Sequence, residues 1–282
     1  MEIRIISHEN SRILYESYNF YKTRFKTLKI PTISQRELQK VTIVGCNLHQ
    51  WQSKGDDGIR KVFQENGAIQ LDPLNPAGRN HDLFFLARVP DYKIGQFEKV
   101  CYPEKLVFEN YFSFLCAISR EFFPYFHYKH DIIYLDKYTR PAIEKFNEDL
   151  PGILDAILEH VKEHGSTQGQ DLAHLGRANP EFASWKSSRV SGTALEYLWR
   201  LGKLAIEKRD KNFRKVYGAI EEYFTSSELV KKEFNEIELA NHKFFLRFKS
   251  FPVLIARLLK NQGIIVSRNK WLITFNFSLE DL

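Results

Sequence analysis

The sequence predicts a helix-rich α+β fold made of repeated helix–hairpin units. Three stretches predict it, because in each an amphipathic helical run stops at a glycine and a β-rich run follows at once. They are Ala194 to Lys208 around Gly202, Leu254 to Ile273 around Gly263, and Ile59 to Asp72 around Gly67.

The first stretch is the clearest. Leu195, Leu198 and Leu201 recur at helical spacing, and Gly202 suits the left-handed position just past a helix C-terminus. Beyond it Leu204 and Ile206 alternate with polar residues. Asp210-Lys211-Asn212 then reads as a hairpin tip before Phe213-Arg214-Lys215-Val216-Tyr217. In the second stretch Ile264-Ile265-Val266 and Trp271-Leu272-Ile273 form strands around Ser267 to Lys270. In the third, Ala68-Ile69-Gln70-Leu71-Asp72 follows Gly67 as a strand. A helix followed by a hairpin with a basic tip is the grammar of a winged helix, whose helix enters a groove while the wing touches the backbone. Any α+β domain can also place a hairpin after a helix, so the pattern alone leaves that reading open.

Upstream of the clearest copy, Gly152 to His164 predicts an amphipathic helix striped by Ile153, Ile157 and Val161. Gly165 to Leu172 then turns into a short helix. The chain accordingly divides into an N-terminal extension at 1–33, where Arg12 to Lys26 can form a basic helix, and a first winged-helix unit at 34–150. A second unit covers 151–224 and a third, winged-helix-like unit covers 225–282. The stretch from 97 to 150, rich in Phe and Tyr, reads as a partly helical connector.

Composition bounds the function. Hydrophobic residues make up 43% of the 282 residues, enough for an ordinary core, and the formal charge is +6. Such a charge suits nucleic acid, since Lys and Arg release phosphate counterions, but many soluble domains carry as much. Cys46, Cys101 and Cys116 are far apart and form no CxxC pair, which predicts buried thiols in a reducing compartment. No apolar run reaches signal-peptide or membrane-spanning length, so the expectation is a soluble, cytoplasmic monomer with no membrane partner. His127 and His130 lack the companions that a metal site needs. No metal and no organic cofactor is expected.

The densest polar stretch runs from Gln70 to Asp82. Gln70 and Asp72 are two apart, which on a strand turns both side chains to one face with Leu71 behind them. An amide and a carboxylate so placed can hold one water, and the carboxylate can take its proton or stabilise a nearby cation. Pro73 ends the strand and leaves the pair at a mouth. The same spacing also fits an Asp that merely caps the following turn.

Ala68-Ile69-Gln70-Leu71-Asp72-Pro73-Leu74-Asn75, with Arg79, His81-Asp82-Leu83 and Arg88, resembles the signature region of the YcaQ/AlkZ-like winged-helix DNA glycosylases. The likeness continues at Phe108-Glu109, at Gly165 to Leu172, and from Leu195 through Gly202 to Tyr217. The resemblance implies excision of N7-alkylated purines and unhooking of interstrand crosslinks in double-stranded DNA. Gln70 and Asp72 match the catalytic Gln-x-Asp form of its motif. Asp72 would stabilise an oxocarbenium-like sugar and, with Gln70, orient water towards C1′. Asn75, Arg79, His81 and Arg88 after the motif, and Lys208, Arg209, Lys211, Arg214 and Lys215 in the wing, are the expected DNA contacts.

Three features depart from the family's pattern. Tyr111-Phe112-Ser113-Phe114 stands where the family has an aromatic-Ala-His-Glu run. The spacing from Trp185 to Glu196 is longer, and the family's C-terminal β-domain is not found in these 282 residues. They keep a second reading in view: a non-catalytic winged-helix protein, either a regulator or a binder of damaged DNA.

Overall fold

The computed structural model describes residues 35–49, 53–112, 114–127, 139–177 and 189–235, with 238, 239, 242, 245, 246, 249 and 250. The N-terminal extension, the basic helix at Arg12 to Lys26, His130, Trp185 and the third hairpin at 263–273 lie outside the described residues.

The chain is mixed helix and sheet and separates into two compact units, one of 1–52, 65–67 and 234–282, the other of 53–64 and 68–233. In the first, helix α1 (Gln35–Gly45) is described, Leu246 is buried, and Ser250 Oγ donates to the Asn66 carbonyl at 2.8 Å.

The second unit holds the signature stretch. Helix α2 (Gly55–Asn66) carries Asp56 and Asp57 in its first turn, where carboxylates meet the positive end of the helix dipole. It buries Ile59, Val62 and Phe63. Strand β1 (Ala68–Gln70) follows, then an exposed loop, α3 (Asn80–Leu86) and α4 (Gln96–Cys101). Strands β2 (Val107–Phe112) and β3 (Phe114–Ser119) form an antiparallel hairpin, and β1 adds to its β3 edge, giving the order β1-β3-β2. The hairpin lies within the stretch expected to be partly helical, which also carries helices at Gln96–Cys101, Pro124–His127 and Thr139–Asp149. It is buried on both faces over most of its length, since Val107, Phe108, Glu109, Phe112 and Cys116 to Ser119 are all buried, so no period-two alternation marks it in the sequence.

Short helix α5 (Pro124–His127) and helices α6 (Thr139–Asp149) and α7 (Ile153–His164) come next. Leu154, Ile157 and Val161 of α7 are buried, with Ile153 at the margin. The short helix expected after Gly165 is a single 3-10 turn, Ala173–Leu175. Helix α8 (Val190–Arg200) buries Ala194, Leu195, Leu198 and Trp199. It ends in a Schellman motif, with Lys203 N donating to Leu198 O and Gly202 N to Trp199 O, both at 2.9 Å. Gly202 stands at φ +67°, where a Cβ would be strained.

Strands β4 (Leu204–Arg209) and β5 (Lys215–Ala219) form the second hairpin. Asp210 builds its tip, its Oδ1 accepting from Asn212 N at 2.9 Å and Arg214 N at 2.7 Å. Short helices α9 (Ile220–Tyr223) and α10 (Ser226–Leu229) close the unit. One hydrophobic cluster runs from Ile59 through Phe97, Phe146 and Ile157 to Tyr217, so the stretches on either side of residue 150 share a core.

Candidate functional site

Gln70 is the last residue of β1 and half-buried, paired in register with Cys116. The ladder runs one bond further, Leu71 N to Leu115 O at 2.8 Å, and Leu71 is buried. Asp72 follows just past the strand, half-buried, with Pro73 to Ala77 exposed beyond it. Its Oδ1 accepts from Leu74 N at 2.9 Å, the hydrogen bond of an Asx turn, while Asn80 Nδ2 donates to the Gln70 carbonyl at 3.0 Å. The carboxylate thus shapes the turn that follows it, and Asn80 ties the start of α3 back to the end of β1.

Behind this edge lies a buried polar cluster. His81 is fully buried, its Nε2 3.2 Å from Glu98 Oε1, and its ring stacks on Phe213 at 5.0 Å. Asp82 Oδ1 accepts from Tyr92 OH at 2.6 Å and from Gly95 N at 3.2 Å. Burial, and next the Asp82 carboxylate, push the Tyr92 phenol far up. Burial pulls Glu98 upward, but the hydrogen bond and charge of His81, with the charge of Arg79, leave it below the ordinary carboxylate value. The ligand atoms of His81, Asp82 and Glu98 lie within 4.8 Å of one another and could hold a cation, although Tyr92 and Gly95 already occupy one Asp82 oxygen.

Phe213, at φ +63° in the hairpin turn, joins that cluster to the β4–β5 hairpin. The Arg79 guanidinium lies 4.7 Å from its ring centre and that of Arg209 4.6 Å. The hairpin is therefore docked on the segment that follows Gln70 and Asp72. Residues 64–247, spanning both, match the model of the family described as DNA glycosylase AlkZ-like.

The chain belongs to the AlkZ-like DNA glycosylase family. No curated protein and no solved structure matches it. Membership in the AlkZ-like family supports a DNA substrate, glycosylase activity and a place in DNA repair. Among the described residues no helix is long and apolar enough to cross a membrane.

Set in this AlkZ-like chain, the expected DNA contacts divide. Asn75, Lys208, Lys211 and Arg214 are exposed, and Arg79 is half-buried with its Nε lacking a hydrogen-bond partner among the described residues. Four others have their polar groups turned inward. His81 is in the core. Arg88 is buried, donating to Phe84 O at 3.0 Å with its guanidinium 3.5 Å from the Phe84 ring centre. Arg209 forms a buried ion pair with Glu109, Nε to Oε1 at 2.8 Å, and Tyr102 OH donates to the same carboxylate at 2.5 Å. Burial opposes the Arg209 charge, and the Glu109 carboxylate more than restores it. Lys215 Nζ donates to Glu196 Oε2 at 2.7 Å and lies 3.6 Å from the Trp199 ring centre, with burial pushing its amine down to about 8.

Tyr102, Glu98 and Phe213 were not singled out by the sequence. Only the positive φ of Phe213 had a local signal, the Asp210-Lys211-Asn212 turn before it. His127 is buried, with Nε2 3.0 Å from Leu229 O and its ring stacked on Phe123, a packing role.

Proposed function

We propose that the protein is a monofunctional DNA glycosylase, hydrolysing the N-glycosidic bond of N7-alkylated purines and unhooking the crosslinks derived from them. What supports this reading is that Gln70 ends β1 half-buried and Asp72, also half-buried, follows two residues on beside an exposed loop. An N7-alkylpurine already carries positive charge and leaves without a strong general acid. What remains is to stabilise the electron-poor sugar and aim a water at C1′. The Asp72 carboxylate serves the first need, and Asp72 with the Gln70 amide the second. Helix α7, the 3-10 turn, helix α8 and the β4–β5 hairpin make up a winged helix in this reading. Lys208, Lys211 and Arg214 face the DNA backbone, and Arg79 offers a guanidinium close to the motif.

The test is base release from a duplex holding 7-methylguanine, and from a nitrogen-mustard crosslink, read as abasic sites. Asp72→Asn lowers the rate by about a hundredfold or more, the scale of an acid–base group, with duplex binding kept. The Asx bond from Leu74 to Asp72 favours a second reading, in which Asp72 only shapes the turn and the scaffold binds DNA without cutting it. Binding without base release would establish that reading.

A further inference from the structure

The β2–β3 tip holds an aromatic ring that the core does not use. In the antiparallel count Gln70 faces Cys116, and Leu71 N bonds Leu115 O, so the ladder carried one step further would bring Asp72 level with Phe114. Side chains two apart on β3 share a face, which puts Phe114 on the side of Cys116 and of its partner Gln70. Phe114 is 61% exposed, whereas Phe112, its cross-strand partner, is 8% exposed and stacks edge-on to Phe126. On the other side of the carboxylate in the chain, Leu74 is 70% exposed. A lone exposed apolar residue is ordinary, but here one lies two residues from Cys116, the partner of Gln70, and another two residues from Asp72, and packing accounts for neither.

We propose that Phe114, supported by Leu74, is a stacking ledge for the target nucleobase beside Gln70 and Asp72, and that it selects the base rather than the backbone. This rests on the glycosylase reading for the identity of the ligand. A flat purine bearing an alkyl group offers a ring face to Phe114 and apolar edge to Leu74. Backbone contacts of the wing supply affinity that does not depend on the base. Stacking of a base on an aromatic side chain is worth roughly fivefold to a hundredfold in affinity.

The experiment compares three duplexes by equilibrium binding to the full chain: undamaged, with a tetrahydrofuran abasic analogue, and with 2′-fluoro-7-methylguanine, whose glycosidic bond resists cleavage. The native protein binds the last more tightly than the abasic duplex. Phe114→Ala removes about tenfold of that preference and leaves the other two duplexes within twofold, and Phe114→Trp retains the preference. Circular dichroism and thermal melting show each variant to be folded, as expected at so exposed a position. Equal weakening on all three duplexes, an unchanged preference in Phe114→Ala, or no preference in the native protein overturns the ledge. Because the analogue is not cleaved, these outcomes are independent of base release. A ledge without base release would sink the glycosylase reading alone, and base release without a ledge would sink this inference alone.

Discussion

Arg209 leaves the β4 backbone towards Glu109 of β2, and Lys208, one residue earlier, leaves it towards solvent, because neighbours on a strand point to opposite faces. In the sequence the two are equivalent cations in a basic hairpin. Only the strand's register, shifted between Ile206 and Lys208, decides which one faces inward. Lys215 is a third case, drawn inward by Glu196 and Trp199 of α8. The strand before the exposed loop was legible because its pattern is local, whereas these pairs depend on contacts up to a hundred residues apart. Removing one partner of a buried ion pair strands the other charge. Arg209→Ala is therefore expected to lower stability by about 3–5 kcal/mol in urea unfolding, and Lys208→Ala to change it by less than about 0.5 kcal/mol. Equal effects would mean that the Glu109 pair is not a buried one.

At the scale of elements, the sequence read best where one segment carries its own start and stop. Helix α8, Gly202 and the Asp210 tip form such a unit, and each is where the periodicity and the turn residues put it. The sheet of β1, β3 and β2 was not legible, because β1 pairs with a strand more than forty residues on and the β2–β3 hairpin is buried on both faces over most of its length. Short α10 is held differently, by charge. A capping box links Thr225 and Glu228, and Glu228 Oε1 accepts from Arg120 Nε at 2.7 Å. The Arg120 hydrogen bond, first among the causes, brings the Glu228 carboxyl down to about 2 from an ordinary 4.5. A carboxyl that binds its proton less readily when folded adds stability above pH 4.5 and loses it as the pH falls towards 2. Glu228→Gln keeps the capping geometry and removes the charge. It should cost on the order of 1 kcal/mol at pH 7, a modest figure because solvent screens this half-exposed pair. The difference from the native protein should close as unfolding is followed down to pH 2. A gap that persists there would assign the effect to shape instead of charge.

For the molecule as a whole, the formal charge of +6 says that an anion is welcome but not where it is met. Burial narrows the choice within the unit that bears the hairpin: Lys208, Lys211 and Arg214 are free of the core, while Arg209 and Lys215 are committed to Glu109 and Glu196. Each phosphate neutralised on a duplex contributes about 0.9 to the slope of log affinity against log salt. If the hairpin is the wing of a DNA-bound winged helix, replacing Lys208, Lys211 and Arg214 together by Gln should reduce that slope by nearly three, on undamaged and alkylated duplexes alike. Lys215→Met serves as the internal comparison, since it removes a cation that does not face solvent and should leave the slope unchanged. Titrations from about 50 to 200 mM salt measure both. A triple variant with the native slope would take the hairpin out of the DNA interface and leave Arg79, on the segment that follows Gln70 and Asp72 in the chain, as the cation to test next.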